Sequence, residues 1–169
     1  MEVNMKTFRH YTAAQAAEHQ LFDFMLRTLS HNLQYLYDEP MDTPENRNMW
    51  LSAVMKTPDW HVIVAFDHET PCAFLQYSIR DEALYIGDIQ IILEYKLHPF
   101  LLRGLLTCCF RREQGHYRTV FAHINKKNAE SQKNFLRFGK IVGDTGKSYR
   151  VEITEPGFKM IERLCRTGE

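Results

Sequence analysis

The chain has no excess charge of either sign. Its 21 Lys and Arg balance 21 Asp and Glu, for a formal net charge of +0 over 169 residues. Proteins that hold nucleic acid through its phosphates present a basic face, so the neutral balance argues against that class of partner. Cysteine is sparse: Cys72, Cys108, Cys109 and Cys165 fall in no zinc-ligand spacing. Two adjacent residues on a helix point in different directions, so Cys108 and Cys109 do not share a metal ion. No metal is expected, and the thiols read as reduced core residues of a cytosolic protein. No apolar run reaches membrane-spanning length, and the opening MEVNMKTFRHYT has no apolar signal core. A soluble, cytoplasmic protein with no membrane partner is the expectation. Repeats and low-complexity segments are absent as well.

What is present suits a packed core: 44% of residues are hydrophobic and 12% aromatic. The length fits one domain, residues 1–169.

Residues 83–139 organise the rest. ALYIGDIQIIL reads as a strand, FLLRGLLTCCFRRE as a helix, YRTVFAHIN as a strand and NAESQKNFLRFG as a short helix. This is a βαβ unit with an added helix, and its strands should run parallel with a right-handed crossover. Ligands of such units sit beyond the carboxyl ends of the strands and at the helix starts. That focuses attention on residues 94–104 and 125–131.

The other segments follow in order. Residues 5–11 suggest a short edge strand. Thr12 and Gln15 form a capping box, so a helix should follow, with Phe22, Met25, Leu26, Leu29, Leu33 and Leu36 on one face. Thr43-Pro44-Glu45 starts a second helix, with Trp50, Leu51, Val54 and Met55 as its stripe. These two helices read either as a substrate wall or as plain core helices. WHVIVAF (60–66) and CAFLQYSIR (72–80) are strands, and Asp81-Glu82 is a tight turn. The sheet is therefore mixed α/β: mostly antiparallel, with a central parallel pair and flanking helices.

The first central strand breaks phase. Leu84 and Ile86 share a face, whereas Ile89, Ile91 and Leu93 share it only if one residue is inserted between the two sets. A bulge near Gly87-Asp88 would restore the phase; a strand buried on both faces would not need one. Asn128 caps the last helix of the unit and Gly139 stops it. A hairpin turning at 143–146 and an amphipathic tail, FKMIERLCR, end the chain.

The order of elements, together with IGDIQIILEYK (86–96) and the run Asn128-Ala129-Glu130-Ser131 through Phe135 to Gly139, resembles the GNAT superfamily of N-acetyltransferases. The resemblance covers residues 5–153. It implies acetyl-CoA as cosubstrate and an amine of a small molecule or peptide as acceptor, in a monomer or homodimer. It also implies a site. Ile91, Ile92 and Leu93 would pair with the pantetheine arm. Lys96, Leu97, His98, Arg103 and Gly104 would lie by the pyrophosphate, and Asn125 and Asn128 would contact the arm or order a water. Asp88 would be the general base; His123 and Tyr149 are the candidates for the acid.

The chain departs from the family in three places. The family's Gly-rich pyrophosphate turn, whose bare backbone N–H groups cradle phosphate, is replaced by Lys96-Leu97-His98-Pro99-Phe100-Leu101, which has no glycine; Arg103-Gly104 is its only echo. Phe135 stands where many members carry a proton-donating Tyr, and Lys140 replaces an aromatic after Gly139. Two readings follow: an acyl-CoA-dependent N-acetyltransferase, or a protein of this fold without CoA binding that acts as a binding or regulatory module.

Overall fold

A computed structural model of the chain describes residues 6–98 and 100–166. Met5, Pro99 and the side chain of Cys165, each given a part in the sequence reading, lie outside what is described. Seven strands form one sheet in the order β1-β2-β3-β4-β5-β7-β6. They are β1 Thr7–Thr12, β2 Trp60–Asp67, β3 Thr70–Arg80, β4 Ala83–Ile91, β5 Thr119–Asn125, β6 Gly139–Asp144 and β7 Ser148–Ile153. Among the described residues only β4 and β5 pair in parallel. The helices are α1 Ala13–Glu18, α2 Leu21–Leu33, α3 Pro44–Lys56, α4 Leu101–Arg112, α5 Ala129–Phe135 and α6 Glu155–Arg166. Among the described residues no helix is long and apolar enough to cross a membrane.

Local signals account for most boundaries. Thr12 accepts from Gln15 N while the Gln15 side chain accepts from Thr12 N, the reciprocal box anticipated above. Thr43 Oγ1 accepts from Asn46 N, and Pro44 opens α3. Asp81 and Glu82 both have positive φ, 52° and 56°, the left-handed pair that a two-residue hairpin requires. Gly115, at φ 89°, ends the turn after α4.

One expected helix is two. Ala16 and Leu21 are both buried but stand five apart, out of phase for a continuous helix. The chain breaks at Gln20, at φ 56°, and α2 restarts with Leu21, Met25 and Leu29 facing inward. The stripe on α3 is also thinner than expected: Val54 is buried and Met55 exposed.

Two cores flank the sheet. One packs Leu101, Leu105 and Cys109 of α4 against Leu84, Ile86, Val120, Ala122 and Ile124. The other packs Met25 and Leu29 of α2 with Val54 and Trp60 against Val62, Val64 and Phe74. On β5 the alternation is the expected one, with Val120, Ala122 and Ile124 buried and Phe121 and His123 turned to the opposite face. Gly104, inside α4, lies against Phe8 so closely that a Cβ there would overlap the ring.

Candidate functional site

The site begins with a change of register. Tyr77 pairs with Ile86, but the next pair is Gln76 with Asp88, leaving Gly87 as the extra residue. This is the bulge that the phase of the sequence allowed, and it removes the alternative of a regular strand buried on both faces. At the same place the parallel pair ends: β4 and β5 are joined only from Ala83↔Thr119 to Ile86↔Ala122. Beyond it β4 runs on to Ile91 and β5 to Asn125 without facing each other, so the sheet opens into a V.

Three connected cavities fill and flank that opening. The widest, about 580 Å³, runs between α4 and α5, with Ile89 and Ile91 of β4, Lys96, Leu97, His98, Asn128 and Phe135 among its walls. A cavity of about 200 Å³ at the fork holds Asp88, His123, Asn125 and Asn128. A third, about 280 Å³, lies under α3 between Trp50, Trp60, Arg80 and Tyr85. The first two share Ile86, Gln90 and Asn128, and the last two share Ile86, Gly87 and His123. A further hollow of about 800 Å³, between α4, β7 and α6, contains none of the predicted site residues.

Asp88 sits where these cavities meet. Gln76 Nε2 donates to its Oδ2 at 2.6 Å, and Gln90 Nε2 lies 3.5 Å from its Oδ1. Asn32, from α2, donates to Gln90 Oε1 at 3.0 Å and to Ile91 O at 3.0 Å, holding Gln90 in place. By surface area Asp88 is half-buried, yet its carboxyl lies deep in the fork. Loss of hydration pushes its pKa up to about 6, and the Gln76 and Gln90 bonds oppose that shift only in part. A carboxylate poised there can take a proton near neutral pH.

Other predicted residues gather in the same place. Lys96, Leu97 and His98 line the wide cleft with Ile91 and Asn128. Their turn is pinned from behind: Tyr95 Oη donates to Asp67, and Lys6 Nζ pairs with the same carboxylate at 2.8 Å. His98 Nδ1 is buried without a partner. Asn128 caps α5 by accepting from Ser131 N at 3.0 Å, and it also lines the cleft. Asn125 lines the fork, with its side-chain oxygen accepting from Lys127 N at 2.9 Å.

Five predicted residues line none of these three cavities. Ile92 extends the ladder by donating to Cys72 O, and Leu93 is exposed in the turn that follows. The Arg103 guanidinium lies 5.8 Å from the Phe100 ring. Gly104 donates to Phe100 O within α4 and packs on Phe8, which explains the glycine without phosphate. Tyr149 is opposite Ile124 in register and carries the Lys126 ammonium 4.8 Å from its ring centre. Sequence reasoning missed Gln76 and Asn32. The signal for Gln76 was available, since a two-residue turn at Asp81-Glu82 and a one-residue bulge at Gly87 set it opposite Asp88. The signal for Asn32 was not, because it reaches the strand from α2.

An antiparallel sheet with one internal parallel pair, opened at a bulge and flanked by these helices, is the GNAT fold. No protein-family model matches the chain, and no curated protein does. Solved structures match throughout. PaiA N-acetyltransferase from Thermoplasma acidophilum, in complex with coenzyme A, is 13% identical over 89% of this chain and 99% of its own, with a TM-score of 0.67. A protein assigned to the GNAT family from Desulfovibrio desulfuricans is 14% identical over 88% and 97%, TM-score 0.62. Campylobacter jejuni PseH, an N-acetyltransferase in complex with acetyl coenzyme A, is 12% identical over 89% and 99%, TM-score 0.55. At such identities the likeness is one of fold.

Proposed function

We propose that the protein is an acetyl-CoA-dependent N-acetyltransferase that acts on an amine of a small molecule or peptide, with the whole chain as one catalytic domain. The observation that carries this reading is Asp88, a carboxylate with a pKa near 6 where a long cleft meets two smaller cavities. The cleft, at about 580 Å³, is in the size range of cofactor sites. Beyond Ile86 the β4 edge toward β5 is unpaired by any strand, so it can receive an extended arm. His98 Nδ1, buried and unpartnered, and the Lys96 ammonium suit the anionic end.

Acetyl-CoA supplies the acetyl group as a thioester. Asp88 takes the proton that an ammonium must lose before its nitrogen can attack, and Gln76 and Gln90 keep the carboxylate aimed into the fork. As the N–C bond forms the C–S bond breaks, and the nitrogen gives up its second proton to solvent. Phe135, beside the cleft, has no proton to give, so the departing thiolate takes its proton from solvent. Tyr149 has no part in this reading.

Calorimetry with acetyl-CoA, followed by thiol release with a panel of amines, tests the proposal. Heat of binding and amine-dependent release are expected; no heat at millimolar ligand would sink it. One observation favours the second reading, a module of this fold without CoA. The N–H groups of Lys96, His98 and Leu101 bond to carbonyls of their own turn, and Leu97 is 98% exposed, so that turn presents few donors to a pyrophosphate.

A further inference from the structure

The face of the sheet away from α4 carries two arginines that the proposed chemistry does not use. Arg80, at the end of β3, lies 5.2 Å from the Tyr85 ring centre. Arg150, on β7, lies 4.0 Å from the Phe121 ring and 5.8 Å from that of Tyr85. The two rings stack at 5.5 Å. The two arginines come from strands separated by β4 and β5 and converge on Tyr85: Ser78, two residues before Arg80, faces Tyr85, Tyr85 faces Phe121, and His123 faces Arg150. Among the described residues neither arginine forms an ion pair, although Glu152 is only two positions from Arg150. Arg150 Nε is buried with no hydrogen-bond partner. An Nε–H withdrawn from water and left unpaired is costly unless something completes it.

A cavity of about 280 Å³ opens beside Arg80 and Tyr85, and Arg150 reaches its margin over the Tyr85 ring. Arg80, Tyr85 and His123 line it with Trp50 and Trp60, and no carboxylate does. It joins the Asp88 cavity through Gly87 and His123. The positive field there also reaches His123: burial first, then Arg150, lowers the pKa of its ring. At strand spacing Tyr85, which both guanidinium groups flank, lies roughly 10 Å from Asp88.

We propose that the acceptor is an amine carrying a carboxylate about 10 Å from the reacting nitrogen, with Arg80 and Arg150 receiving that carboxylate while Asp88 faces the amine. Planar guanidinium groups suit a carboxylate, and the aromatic shelf holds them in place. A polyamine would set a second ammonium against two guanidinium groups. The inference rests on the transferase reading for the position of the nitrogen; the anion site itself does not.

The test uses triglycine, about 10 Å long when extended, and triglycine amide, which has no carboxylate. Both are titrated into the protein by calorimetry and offered as acceptors in thiol release from acetyl-CoA. Triglycine should bind at least tenfold tighter than its amide. Arg80→Gln, at an exposed position, and Arg150→Gln should each close that gap without changing affinity for CoA. Equal affinity of acid and amide, a gap that survives both substitutions, or no binding of triglycine would overturn the proposal. Carboxylate-dependent binding without thiol release would keep the anion site and remove the transferase reading.

Discussion

Gln76 Nε2 stands 2.6 Å from Asp88 Oδ2 across the β3–β4 pair, and this is the only bond shorter than 3 Å that the Asp88 carboxylate makes among the described side chains. The pairing exists because Gly87 is bulged out; without the bulge Gln76 would face Gly87. Gln76 is 6% exposed and its own Oε1 is unsatisfied, so the donor is held in a dry place with one job.

Asp88→Asn should lower kcat/KM by about 10²–10⁴, the usual contribution of a general base, while CoA affinity stays unchanged. In the parent protein kcat/KM should rise with pH through about 6 as Asp88 ionises. Steady-state rates across pH 5 to 8 check both. Unchanged turnover in the variant would remove Asp88 from the mechanism.

Gln76→Leu removes the larger of the two bonds that favour the charged carboxylate. The pKa of Asp88 should then climb above 6, and the acid limb of the pH–rate profile should move to higher pH. A limb that stays in place would show that Gln76 has no hold on the proton.

The same pKa makes a prediction about stability. The unfolded carboxyl titrates near 3.8 and the folded one near 6. Between those values the folded state binds more protons, so stability falls as pH rises through the window and the loss is complete above about 6. Asp88→Asn should therefore be more stable than the parent at pH 7.5, by about 1–3 kcal/mol, and the gap should vanish below pH 4. Urea melts at the two pH values measure it.

Gly104→Ala sets two effects against each other. Alanine favours the helix by about 1 kcal/mol. A methyl group there meets the Phe8 ring, which lies on the edge strand and would have to turn aside. Overpacking of this kind costs about 1–3 kcal/mol, so a lower Tm is expected. A higher Tm would mean that Phe8 yields freely.

Glu113 is buried at 6% exposure and accepts from Tyr77 Oη, with His116 Nδ1 at 3.2 Å. Glu113→Ala leaves the Tyr77 hydroxyl buried without a partner and should cost about 1–3 kcal/mol, read by chemical denaturation. Tyr77→Phe with Glu113→Ala should recover part of that loss.

Much of this was legible in the residues. The capping box, the Asp81-Glu82 turn and the alternation on β5 are local, and local chemistry decided them. The broken phase around Gly87-Asp88 narrowed β4 to two forms. Other features were not legible. Gly104 looked like the remnant of a phosphate turn, but it is a glycine because Phe8, nearly a hundred positions earlier, presses on α4. The break at Gln20 depends on which residues the sheet needs covered. Tyr149 looked available for chemistry until β7 turned it beside Lys126.

By itself the sequence determined the order of strands, most of the helices, the parallel pair and the place of the bulge beside Asp88, since periodicity and turn chemistry act over a few residues. Tertiary structure alone decided what surrounds that carboxylate. Asn32 comes from α2, Gln76 from β3 and the arginines from β3 and β7. Proton affinity and acceptor preference depend on burial and on charges brought together across the fold, and no spacing along the chain encodes either.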